Sequence, residues 1–136
     1  MRVFLDTNVI VSAVTTRGLC ADVFRTVLSE HELVTSPRVL HEVRRILRTK
    51  FSVPEGLVSE YLELITEAAL IAEGKGAHRI QIKDKDDVEI VVAAITAESH
   101  VLVTGDREIQ ELKSIQNVRI LSPRAFWEEL TANQAL

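Results

Sequence analysis

The sequence predicts an α/β fold: three layers, α/β/α, with a central parallel sheet of about five strands. Short apolar runs recur along the chain and alternate with helix-forming segments, the pattern of a parallel sheet sandwiched between helices. The chain has 136 residues, the size of one domain, taken here as residues 1–136. It contains no internal repeat, low-complexity segment or linker to divide it.

RVFL (residues 2–5) reads as a short buried strand, followed by a helix through TNVIVSAV. LCADVFRTVLSE is amphipathic, and HELVTS is a second strand. Ser36 is placed to cap the next helix with Pro37 in its first turn, and that helix runs through RVLHEVRRILRTKF. Pro54 opens another helix, EGLVSEYLELITEAA, and ALIAE is a candidate third strand with a turn at Gly74–Gly76. The helix KDKDDVEIVVAAI follows, then the strand VLVTGD with its turn, the short helix REIQELK, the strand VRIL and a last helix from Ser122-Pro123.

Composition excludes several classes. The single Cys20 cannot close an intrachain disulfide, and no Cys/His set has zinc spacing. His31, His41, His78 and His100 are expected at the surface or in turns. The apolar start is interrupted by Asp6 and Asn8 and has no small-residue cleavage site, and no run reaches membrane-spanning length. A reduced, cytoplasmic protein is expected. The net charge of −4 disfavours non-specific nucleic-acid binding. A local basic run, Arg38, Arg44, Arg45, Arg48 and Lys50, is either a solvated helix face or a phosphate contact.

The acids carry the chemistry. Asp6 follows the first strand and Asp106 follows VLVTG; ligand sites in open α/β sheets lie beyond the carboxyl ends of strands. Either acid alone could be a turn or cap residue. In the later helix, Ile90, Val91, Ala94 and Ile95 form an apolar stripe with Asp87 near its centre line. Asp86 falls about 40° outside that stripe, Glu89 is expected to face water, and Asp84 to cap the helix or stay solvated. Glu42 borders the arc of Val39, Leu40, Val43, Ile46 and Leu47, where it could pair with Arg38 or Arg45 or line a cleft. Four gathered carboxylates repel one another, and a divalent cation relieves this; oxygen-only donors suit Mg²⁺ or Mn²⁺. Metal-dependent phosphodiester hydrolysis is the chemistry such a cluster supports.

Four motifs in order, FLDTNVIVSA, SPRVLHEV, DKDDVEIVVAAI and VLVTGD, resemble the PIN-domain ribonucleases over almost the full length of the chain. The form DxDD with LVTGD is most similar to the branch of toxins from toxin–antitoxin pairs (VapC-like). The resemblance implies a metal cluster at Asp6, Glu42, Asp87 and Asp106, with Asn8 and Thr104 orienting it. It implies in-line attack of a metal-activated water on RNA, an antitoxin partner and a homodimer or higher homo-oligomer. Asp6 and Asp106 would be direct ligands, Asp87 a ligand or base, and Glu42 a ligand to a second ion or an outer-shell water. Members of this branch often carry Asn after the last aspartate where this chain has Val88, which leaves Asp86 and Asp87 both open for that role. Arg17, Lys83, Lys85 and Arg107 flank the motifs as candidate RNA contacts or as solubilising charges.

Other readings of the strand-end acids compete with this one. A haloacid-dehalogenase-type phosphatase usually follows its strand-end aspartate with xDxT, but Asn8 stands where the second acid belongs. A receiver domain would want a lysine after a late strand, where Arg107 stands. A catalytically silent PIN-fold module that binds RNA or protein is the non-enzymatic alternative. Serine and cysteine hydrolases lack a G-x-S-x-G elbow or a motif around Cys20.

Overall fold

A computed structural model of the protein describes residues 1–73 and 82–134. The elements run β1 (Arg2–Leu5), α1 (Thr7–Thr15), α2 (Leu19–Glu30), β2 (Glu32–Thr35), α3 (Pro37–Thr49), α4 (Glu55–Ala68) and β3 (Leu70–Ile71). They continue with α5 (Lys85–Thr96), β4 (Val101–Val103), α6 (Arg107–Glu111), β5 (Ser114–Ile115), β6 (Val118–Leu121) and α7 (Pro123–Gln134). The sheet order is β3-β2-β1-β4-β6-β5, flanked by helices. All neighbours are parallel except β5, which pairs antiparallel with β6.

The inner strands owe their sequence to this placement. Val3, Phe4 and Leu5 of β1 and Val101, Leu102 and Val103 of β4 are all buried, because helices cover both faces of a parallel sheet. Phe4 stands beside Val34 of β2 on one side and Leu102 of β4 on the other. The ladder continues past the strand ends, with Asp6 N–H donating to the Val103 carbonyl at 3.0 Å and Thr104 N–H to that of Leu121 at 3.0 Å.

Helices begin where the sequence places caps. The Ser36 hydroxyl accepts from Val39 N–H at 3.2 Å with Pro37 in the first turn. Asp84 caps α5 by accepting from Asp86 N–H at 2.8 Å.

Some expectations are corrected. A sixth strand, β5, was not foreseen: two residues are too few to show a period. Helix α6 stops at Glu111 rather than Lys113, because Lys113 takes φ 60°, which ends a right-handed helix. ALIAE contributes only Leu70–Ile71 as strand. The turn at Gly74–Gly76 and His78 lie outside the described residues. The basic run is largely committed to neighbouring helices. Arg44 and Arg48 both pair with Glu55 at the start of α4, and Arg38 pairs with α5.

Chain direction matters for function. From β1 the chain builds outward through β2 to β3, then returns to lay β4 on the other side of β1. The order reverses between β1 and β4, and at such a switch point the loops diverge and leave a crevice at the carboxyl edge. The last helix belongs to the same core, since Phe126 is fully buried and Leu130 joins the cluster. Replacing Phe126 by Ala should cost about 3–5 kcal/mol of unfolding free energy in one cooperative transition by urea denaturation. A loss below about 1 kcal/mol would mean that α7 is not part of the core.

Candidate metal centre

Asp6 follows β1 directly and caps α1, and it is only 4% exposed. One carboxylate oxygen accepts from Thr7 N–H at 2.7 Å, and the other from the Thr104 hydroxyl at 2.6 Å. Thr104, fully buried at the end of β4, also accepts from Asp106 N–H at 3.0 Å. One hydroxyl therefore ties the acid after β1 to the backbone of the acid after β4. Asp106 in turn caps α6, accepting from Ile109 N–H at 3.1 Å. Cap and cluster member are compatible roles, since a carboxylate has about four acceptor sites.

Two residues brace this turn. The Asn8 side-chain carbonyl oxygen accepts from Gly105 N–H at 3.2 Å, which holds Asn8 in van der Waals reach of the Gly105 Cα. The Gln110 amide donates to the Thr104 carbonyl at 2.6 Å. Sequence reasoning passed over Gln110, whose one signal was its place a single helical turn after Asp106.

Glu42 lies on α3, which packs against α1. It pairs with neither Arg38 nor Arg45; it accepts from the Thr7 hydroxyl at 3.0 Å. Thr7, also passed over, thus gives its N–H to Asp6 and its hydroxyl to Glu42. Asp87 is half-buried on the first turn of α5, while Asp86 is exposed and ion-paired with Arg38 at 3.5 Å. Glu89 does not simply face water: Arg38 reaches it from α3 at 3.1 Å. The helical-face argument had no knowledge of a neighbouring helix.

Electrostatics link the four carboxylates. Burial pushes the Asp6 pKa up, the Thr104 and Thr7 hydrogen bonds oppose that, and the charges of Asp106 and Glu42 add to the rise. The Asp87 carboxyl is pushed up to about 7, first by burial and then by the charges of Asp106, Asp84, Asp6 and Glu108. Asp6 thus stands within electrostatic range of Glu42, Asp87 and Asp106, and Asp87 within range of Asp106, around the β1/β4 switch point.

The donor set fits a hard divalent cation in kind, being all oxygen and strongly anionic. Its spacing is open: among the described residues, no three or more His, Cys, Asp or Glu side chains stand arranged to hold a metal ion. Arg17, Lys83, Lys85 and Arg107 are all exposed, and Lys83 N–H donates to Glu108 at 3.1 Å, tying the entry of α5 to α6. Burial raises the Cys20 thiol, the wrong direction for a nucleophile. A cavity of about 720 Å³ lies at the opposite, amino edge, lined by Arg2, Ser99, His100, Asn117 and Val118 among others. Asp6, Glu42, Asp87 and Asp106 do not line it. Among the described residues no helix is long and apolar enough to cross a membrane.

A chain of the VapBC2 structure from Rickettsia felis, bound to a DNA fragment from its promoter, superposes with a TM-score of 0.63 at 16% identity, covering 90% of this chain and 98% of that one. A chain of VapBC-1 from nontypeable Haemophilus influenzae gives 0.60 at 17% identity, covering 91% and 99%. Mycobacterium tuberculosis VapC20, described as a Sarcin-Ricin loop cleaving toxin, gives 0.60 at 14% identity, covering 86% and 98%. At these identities the likeness is one of fold. No curated protein matches the sequence. The family described as the PIN domain matches residues 2–108, and the chain belongs to that family.

Proposed function

We propose that this chain is a Mg²⁺- or Mn²⁺-dependent endoribonuclease and the toxin of a toxin–antitoxin pair, working as a single domain over residues 1–136. The observation that carries this reading is the electrostatic coupling of Asp6, Glu42, Asp87 and Asp106 at the switch point of the sheet. PIN-family membership and the fold shared with VapC20 support the nuclease class.

Asp6 and Asp106 would hold the ion directly, with Asp87 a further ligand or the base toward water and Glu42 binding a second ion or an ordered water. A divalent cation there supplies Lewis acidity toward a phosphoryl oxygen and an attacking water, and it cancels the repulsion among the acids. The protein groups do the rest. Thr104 and Thr7 would fix the orientation of the Asp6 carboxylate, each occupying one of its oxygens. Asn8 and Gln110 hold the turn that carries Asp106. In the alternative to a ligand role, Asp87 would take the proton of the attacking water from the first turn of α5. Arg17, Lys83, Lys85 and Arg107 offer exposed cations to the RNA backbone.

One observation favours a second reading. The open spacing of the acids also suits a PIN-fold module that binds RNA or protein without cutting. Metal response separates the two.

An antitoxin partner is supported by the VapBC assemblies that share the fold. It is also supported by an exposed stripe on α4, Leu57 at 47%, Tyr61 at 37% and Leu64 at 51%. Exposed Glu60, Glu63 and Glu67 lie alongside it, so this stripe suits a partner carrying Lys or Arg beside apolar residues. A homodimer, the other assembly proposed, would be better served by a different face, since two copies of this one would oppose acid to acid. The cytoplasm, where RNA is abundant and a lone Cys20 stays reduced, is the proposed compartment.

Purified protein should cut single-stranded or loop RNA with Mn²⁺, and stop with chelator. Asp6→Asn and Asp87→Asn should each lower the rate about 100-fold or more. Equal cleavage in all samples would reveal a contaminant and remove the proposal's support. Thr104→Val should cost about 10–100-fold while leaving the protein folded, the usual scale for groups that orient a ligand. Millimolar Mn²⁺ should raise the melting temperature of the wild type and not of Asp6→Asn.

The raised Asp87 pKa sets a pH signature in the metal-free protein. Its folded-state value of about 7 exceeds the unfolded value near 3.8, so the folded form binds the extra proton between them. That stabilisation is complete below about pH 4 and is lost as pH rises through 7. In chelator, Asp87→Asn should therefore melt a few degrees above wild type at pH 8 and show no advantage at pH 4, with solvent screening limiting the size. An equal offset at both pH values would contradict the assignment.

A further inference from the structure

Acids crowd the carboxyl edge: Asp84, Asp86, Asp87 and Glu89 on α5, Asp106 and Glu108 around α6, Glu42 on α3 and Asp6 after β1. Their mutual repulsion tends to push the first turn of α5 away from the sheet. The described ties that oppose this are few. Lys83 N–H reaches Glu108 at 3.1 Å, and Arg38 reaches α5 from α3. Among the described residues, Arg38 is the basic side chain ion-paired to α5.

Its geometry is that of a clamp. Nε donates to the Glu89 carboxylate at 3.1 Å, and an end nitrogen lies 3.5 Å from Asp86. These two acids flank Asp87 in sequence. On its own helix Arg38 stands one turn before Glu42, close enough for the two charges to interact. One planar guanidinium thus spans the helix that carries Glu42 and the helix that carries Asp87, and its fork can serve two carboxylates at once.

We propose that Arg38 is a positioning residue that holds the first turn of α5 against α3, so that Asp87 and Glu42 keep one separation across the cleft that takes the cation. This rests on the metal-dependent reading of the cluster above. Arg38 touches neither ion nor RNA in this role; it acts through Asp86 and Glu89.

The sign of the effect separates this from simpler roles. A bystander cation beside an acidic cluster weakens metal binding, so its removal should tighten Mn²⁺. A clamp does the opposite. We expect Arg38→Met to raise the Mn²⁺ concentration at half-maximal thermal shift about 5–10-fold, while lowering the metal-free melting temperature by no more than about 3 °C, as for an exposed ion pair. At saturating Mn²⁺, kcat should recover towards wild type and KM for RNA should stay within about 2-fold. The exchanged pair Arg38→Glu with Glu89→Arg, which keeps the local net charge, should regain at least half of the lost affinity.

Unchanged or tighter Mn²⁺ binding in Arg38→Met overturns the inference. So does a rise in KM with Mn²⁺ affinity intact, which would make Arg38 a phosphate contact, and so does failure of the exchanged pair to recover. Absence of any Mn²⁺ shift in the wild type overturns the metal reading itself, and the two failures are thereby told apart.

Discussion

A carboxylate at the end of a central strand, closed off from water on most sides, is costly unless its oxygens are engaged. Asp6 meets this constraint with two donors from different places in the chain: the N–H of its own helix and the hydroxyl of Thr104. The second donor arrives only because β4 lies next to β1 in the sheet. Thr104 then passes the constraint onward by accepting from Asp106 N–H, and Gln110 and Asn8 lock the same turn. Strand order, turn geometry and the placement of two acids are therefore one coupled arrangement. Disturbing any of them disturbs the others.

Repulsion is the second organising force. Caps carry much of the local negative charge, since Asp6, Asp84 and Asp106 each begin a helix, where the N-terminal dipole favours an anion. That use of acids as caps allows so many to be gathered without unfolding the edge. Asp87 lies in the first turn of α5 but does not cap it, and burial and its neighbours' charges push its carboxyl up to about 7. A site built this way is poised. A positive charge brought near Asp87 would oppose that rise.

Much of this was legible in the residues, for identifiable reasons. Asp6 and Asp106 could be read because they sit directly after apolar runs, and the carboxyl ends of parallel strands share an edge. Asp87 could be told from Asp86 because helical periodicity separates neighbours by about 100°. Glu89 was misread because periodicity knows a helix's own axis and nothing of what packs beside it; Arg38 comes from a helix some fifty residues earlier in the chain. Thr7 and Gln110 were invisible for a related reason. Their roles are single hydrogen bonds across the fold, and Thr and Gln occur everywhere on surfaces. Strand β5 escaped because its two residues are set by the positive φ of Lys113 and Gln116 rather than by any alternation.

The two borders of the sheet, β3 and β5, are its shortest strands, two residues each. A sheet ending in long, flat strands offers a row of unpaired amides to which other chains can add. Here each rim provides room for little more than one such pairing, and β5 also runs against its neighbour's direction. The molecule can keep a fully apolar set of inner strands and still resist zipping to its own kind through the backbone, leaving association to side chains on the helices.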